Sequence, residues 1–189
     1  MSRPPSLLRV GLAAGLGFIV AGAVWYRLGP FYDAWLASAA TALLPADLWL
    51  EDSRRTLVIV YQGDAQPYRQ AIDTLVLHSG VVIVLALVAS TPNRSWRWLT
   101  AAGLAVTVGF FSLHVVALTI FGLALRASVS GGLLAGDALI GFAIFWGLTP
   151  VVLGGAWAYW FWLPVFLRQG QGTALDPLAS ADRPVGDRD

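Results

Sequence analysis

Residues 71–125 read AIDTLVLHSGVVIVLALVASTPNRSWRWLTAAGLAVTVGFFSLHVVALTIFGLAL. Two apolar runs flank a short loop, Pro92 to Arg97, that carries two arginines. Each run reaches the roughly 20 residues needed to cross a hydrocarbon core. This hairpin fixes the class of the chain as integral membrane. Each run also carries one of the only two histidines, His78 and His114.

Composition agrees. The 189 residues are 57% hydrophobic and 12% charged, with a mean hydropathy of +0.68. Soluble domains carry roughly 25% charged residues, so the chain has too little polar material to clothe a water-soluble globule, and its apolar surplus must face lipid. A net charge of +1 with no basic stripe argues against nucleic acid as a partner. The basic residues are all arginine. With no cysteine and a single methionine, disulfides, thiolate metal sites, cysteine nucleophiles and Met-rich copper sites are excluded.

Working outward from the hairpin, two arginines in so short a loop place it in the cytoplasm, with spans at about 71–91 and 98–125. The second is long enough that it must tilt or project. On the N-terminal side, residues 46–70 gather Asp47, Glu51, Asp52, Arg54, Arg55, Asp64 and Arg69, which makes this the one sizeable solvated segment between spans. Within it, Thr56 to Tyr61 is a run of strand formers. Together with Leu48-Trp49-Leu50 and a polar turn it predicts a small β-hairpin, lying on the bundle surface or pairing with a partner's strand; Trp49 and Tyr61 are its candidate structural or partner contacts.

Earlier still, about 7–28 forms a first span closed by Trp25-Tyr26 as an aromatic belt. Ala21-Gly22-Ala23 has the form of a signal-peptide cleavage site, but hydrophobicity continues past it into the belt, which favours an uncleaved span. Pro30 is expected to end that helix. Residues 31–44, bounded by Pro30 and Pro45, then read as a separate interfacial helix with Phe31, Trp35, Ala39 and Leu43 on one side and Asp33 elsewhere.

Beyond the hairpin, a short outer loop from Arg126 to Asp137 leads to a fourth span at about 138–163, which Pro150 should kink. Residues 168–189 have a disordered composition and form a cytoplasmic tail. The expected fold is therefore an all-α membrane protein: one membrane domain over 1–167 with about four transmembrane helices, an interfacial helix and a small extracytoplasmic β-hairpin within segment 30–70. Arg3, Arg9, Arg94, Arg97 and Arg168 at the inner ends put both termini in the cytoplasm.

The histidines are the first candidates for chemistry, because ionisable groups inside a membrane are functional suspects. His78 lies roughly 10 Å and His114 roughly 17 Å from the outer ends of their spans. The two could meet and hold a b-type haem, or each could bond a hydroxyl or backbone carbonyl on a neighbouring helix, with Ser79, Ser112 and Thr74 in reach. No metal site is expected. Asp73 and Asp137 sit at helix starts, where the dipole favours a carboxylate; Arg126 could snorkel or pair with either of them. No catalytic triad, zinc-binding helical motif or phosphate loop occurs, and no catalytic residue is assigned.

In its order of parts the chain resembles the small integral membrane proteins associated with exosortase H, the envelope protein-sorting system of certain Gram-negative bacteria. The shared layout is an N-terminal span ending near Trp25-Tyr26, a short apolar helix, an outer segment with a strand-like run at Thr56 to Tyr61, and a basic-aromatic loop from Arg94 to Trp98 followed by further spans. The exosortases themselves use a Cys, Arg and His constellation, and a chain without cysteine departs from it. The resemblance implies a non-enzymatic accessory protein of the bacterial inner membrane, with an exosortase as partner. The reading from the histidines alone is a small bis-histidine cytochrome or metal-dependent redox subunit, with haem b as cofactor.

Overall fold

A computed structural model describes residues 7–53, 55–63, 67–91, 94–131, 135–164 and 167. Helix α1, Leu7–Thr41, has 35 residues and Pro30 inside it. The expected break at Pro30, with a separate helix over 31–44, is corrected. An interior proline removes one N–H and crowds one carbonyl, a cost that packing can offset in a helix held by its neighbours. Here the packing crosses the proline: Trp25, Gly29, Tyr32, Leu36 and Ala40 are buried at spacings of three and four, with Ala37 beside them, one continuous stripe of an α-helix. Asp33, expected on another side, belongs to this buried stripe. The ridge of Phe31, Trp35 and Leu43 is instead the outer face, at 69%, 73% and 60% exposure.

After α1 come three strands, β1 (Leu48–Ser53), β2 (Thr56–Gln62) and β3 (Pro67–Asp73). The expected hairpin is thus a three-stranded antiparallel meander in the order β1-β2-β3. Its third strand takes residues expected at the start of the second span: Ala71 pairs with Val58 and Ile72 with Leu57. A two-stranded ribbon is marginal, whereas three strands with one apolar face are self-supporting against a helix. Leu48, Leu50, Leu57, Ile59 and Ile72 form that face and join the core. On the other face Glu51 accepts from Trp49 Nε1 at 3.1 Å and pairs with Arg69. Trp49, Val60 and Arg69 share a row, and Val60 is buried there. The sheet is tied to α1 where the Leu50 N–H donates to Thr41 Oγ1 at 2.9 Å.

Helix α2 is Thr74–Ala89. Asp73 caps it, its carboxylate accepting from the Leu75 N–H at 2.8 Å, the helix-start role expected of it. At 16 residues, or roughly 24 Å, α2 is shorter than a hydrocarbon core of about 30 Å. It is also the central helix, packed against α1 and against the two that follow, α3 (Trp96–Gly131) and α4 (Ala135–Trp157). A methyl group placed at Gly80 would lie 3.3 Å from Phe110 Cε1 and 3.3 Å from Pro150 Cβ, so α2 brings its backbone against both neighbours at this point.

Three helices among the described residues are long and apolar enough to cross a membrane: Gly11–Thr41, Trp96–Ser130 and Ile140–Trp162. Four such spans were expected, and the second is the one that falls short. Helix α3 absorbs the first half of the expected outer loop, with Arg126 inside it. There Arg126 pairs with Asp47 at 2.9 Å, rather than with Asp73. Asp137 lies in the first turn of α4, and its side chain, like the tail from 168, is outside the described residues. Gly11 and Gly15, spaced for a close helix approach, have nothing within 4 Å of an added methyl group.

At the end of the bundle away from the sheet, α4 continues into a π-helical turn, Ala158–Trp162. Trp98 packs on Trp157 and Phe161 at 5.8 and 5.4 Å, and the Arg94 guanidinium lies 4.8 Å from the Trp98 ring centre. Together these rings form an aromatic girdle at this end of the bundle.

Candidate functional site

Beneath the sheet the four helices enclose a polar cluster in otherwise apolar surroundings. Its organiser is α1. Tyr32 and Asp33 are consecutive, so their side chains leave the helix about 100° apart, and each reaches a different histidine. His78 on α2 donates from Nε2 to Asp33 Oδ1 at 2.8 Å. His114 on α3 bonds the Tyr32 hydroxyl through Nδ1 at 2.5 Å. Asp33 and His114 are almost wholly shielded, at 2% and 0% exposure.

The direction of the second bond follows from counting orphans. If the Tyr32 hydroxyl donates to Nδ1, one buried group, the His114 Nε2–H, is left over. The reverse would strand the hydroxyl hydrogen and the Nε2 lone pair together, and a buried unpaired polar group costs about 1–3 kcal/mol. The hydroxyl is therefore the donor. Among the described residues His114 Nε2 has no partner, and neither have the indole N–H groups of Trp25 and Trp146.

Rings fill the space around the pairs. Tyr32 packs edge-on against His78 at 5.7 Å and against His114 at 5.6 Å, and Trp25 touches both Tyr32 and His78. Trp146 on α4 lies 4.2 Å from His114. Gly29 makes the site possible on the α1 side, since a methyl group there would sit 3.0 Å from His78 Cε1 and 3.3 Å from Nδ1. Any larger residue at this position would press on the imidazole.

The two histidines thus share a neighbourhood, as their depths suggested, but they bond Tyr32 and Asp33 rather than each other. With His78 Nε2 on Asp33 and His114 Nδ1 on Tyr32, the nitrogens left for a haem iron are His78 Nδ1, which lies against Gly29, and the buried His114 Nε2. Among the described residues no three of His, Cys, Asp and Glu gather to hold a metal ion. The hydroxyls proposed as partners are engaged elsewhere: Ser79 and Ser112 donate to carbonyls of their own helices, and Thr74 Oγ1 donates to the Arg55 carbonyl at 2.8 Å.

Arg55 was missed as a residue of interest. It occupies the β1–β2 turn with φ of 75°, a left-handed conformation that side-chain-bearing residues rarely adopt and that costs of order 1–3 kcal/mol. Thr74 holds that turn on the start of α2 through its N–H and its hydroxyl. The guanidinium reaches along α1 to the Tyr26 ring, 4.4 Å from its centre. Nearby on β1, partial desolvation and then the Asp33 charge push the Asp52 carboxyl above the ordinary carboxylate range.

Fold and site together define an integral membrane protein, a four-helix bundle capped by a three-stranded sheet, with two histidine pairs buried where helices and sheet meet. Comparison with protein-family models, with curated proteins and with solved structures finds no match to this chain.

Proposed function

We propose that the chain is a non-enzymatic accessory subunit of a bacterial inner membrane, working beside a protein-sorting enzyme of the exosortase type. One observation carries the reading of a partner: the exposed ridge of Phe31 and Trp35 on α1, continued by Leu43 just past its end. At 35 residues, or roughly 52 Å, α1 is some 22 Å longer than a hydrocarbon core of about 30 Å, and the other side of its sheet-end turns is braced by the sheet. A rigid rod with one packed face and one bare aromatic face presents a ready surface to another membrane protein. The choice of partner rests on the layout shared with exosortase H-associated proteins.

In this reading the sheet is extracytoplasmic and both termini are cytoplasmic, in keeping with the arginines of the loop at 94–97. Helices α1 and α3 both run toward the sheet end, so α2 carries the chain back as a short fourth crossing. Co-expression with an exosortase from the same genome, followed by affinity purification in mild detergent, tests the assignment. The enzyme is expected to co-purify with the native chain and to be lost with Trp35→Glu. No co-purification with the native chain, or a Soret absorbance band in the purified protein, would overturn it.

A further inference from the structure

The seam between α1 and α2 holds a cavity of about 290 Å³, near the lower end of the volumes that bind small ligands. It extends from Phe18 to Asp33 on α1, fifteen residues or roughly 22 Å, more than the roughly 15 Å of hydrocarbon in one leaflet. Gly22 and Gly29 hollow its α1 wall, and a methyl group at Gly22 would meet nothing within 4 Å. Phe18, Tyr26, Leu75 and Ile83 line it and are exposed, so the groove opens sideways, toward where lipid would lie. Its wall is apolar except at the sheet end, where Arg55, Thr74, Asp33 and His78 border it.

Arg55 supplies the charge. Among the described residues its guanidinium contacts the Tyr26 ring and makes no ion pair. The turn pinned by Thr74 sets the guanidinium at Tyr26, eight residues or roughly 12 Å along α1 from Phe18. An apolar slot of that length with a guanidinium where its polar end begins matches an amphiphile carrying an anionic head, because guanidinium and phosphate form paired, charge-assisted hydrogen bonds, while the Asp33 carboxylate beyond it is engaged by His78.

We infer that this groove is a lipid site: one acyl chain of an anionic glycerophospholipid lies along the α1–α2 seam with its phosphate on Arg55. The site is independent of any protein partner on the far side of α1.

Native mass spectrometry of the full chain, released from detergent and supplied in turn with phosphatidylglycerol, the phosphate-free diacylglycerol and inorganic phosphate, tests this. The native chain is expected to retain phosphatidylglycerol about tenfold better than diacylglycerol, the factor that one charge-assisted hydrogen bond supplies. Arg55→Gln should abolish the preference, and Gly22→Leu, which fills open space without a clash, should reduce retention of both lipids. Gly11→Leu, also in open space but outside the groove, should leave retention unchanged. The inference fails if Gly22→Leu retains lipid as the native chain does or if the preference survives Arg55→Gln. It fails equally if inorganic phosphate displaces the lipid, which would make Arg55 a free-anion site.

Discussion

Tyr32 and Asp33 settle the state of the two histidines, and they do so unequally. The Asp33–His78 pair joins a carboxylate oxygen to an imidazole N–H donor. The Tyr32–His114 pair is neutral and leaves His114 Nε2 without a partner among the described residues. Replacing Tyr32 with Phe keeps the ring contacts while stripping His114 of its remaining hydrogen bond. Tyr32→Phe is expected to lower stability by about 1–3 kcal/mol, and adding His114→Leu should recover most of it, because removing both polar partners is far cheaper than orphaning one. Thermal unfolding of the single and double variants in detergent measures the difference. A double variant no more stable than the single would show that His114 earns its place through something other than this bond.

Among the elements, α1 departs most from what its sequence suggests. Pro30 looks like a terminator, and a helix that restarts after it reads as a separate interfacial piece with Phe31, Trp35, Ala39 and Leu43 on its apolar side and Asp33 off it. Drawn through the proline, the same residues give the stripe Trp25, Gly29, Tyr32, Leu36 and Ala40, with Asp33 beside it. The signal was present; what hid it was a local rule that tertiary packing overrode. Pro30→Ala restores a donor for the Tyr26 carbonyl, so stability should rise by about 1–3 kcal/mol with helix content by circular dichroism unchanged. A gain in helix content would mean that α1 is interrupted after all. The strands show a different limit. Thr56 to Tyr61 is legible because it is β-branched and uninterrupted, whereas Pro67 to Asp73 is polar and reads as strand only once Leu57 and Val58 pair with it. The Asp73 cap needed nothing beyond its own place before an apolar run. Tyr32 and Asp33 could not be assigned as partners from sequence, since their pairing depends on which helices lie beside α1.

For the molecule as a whole, the lengths are uneven: two helices of 35 and 36 residues flank one of 16. Composition identifies the membrane class, because apolar surplus is a bulk property, but it cannot say which apolar run will be the short centre of a bundle. Orientation can be read directly, since a chain without cysteine accepts single reporters. Ser53→Cys, in the sheet, should react with an impermeant maleimide in intact spheroplasts, and Ser95→Cys, in the arginine loop, only after permeabilisation. The reverse pattern would invert the proposed topology.

Strand β3 ends and α2 begins at neighbouring residues, with Asp73 serving both as the last strand residue and as the helix cap. No slack separates the sheet from the central helix. His78 lies five residues from Asp73, so β3, the helix cap and the imidazole that bonds Asp33 sit on one unbroken run of ordered backbone, a joint without a hinge.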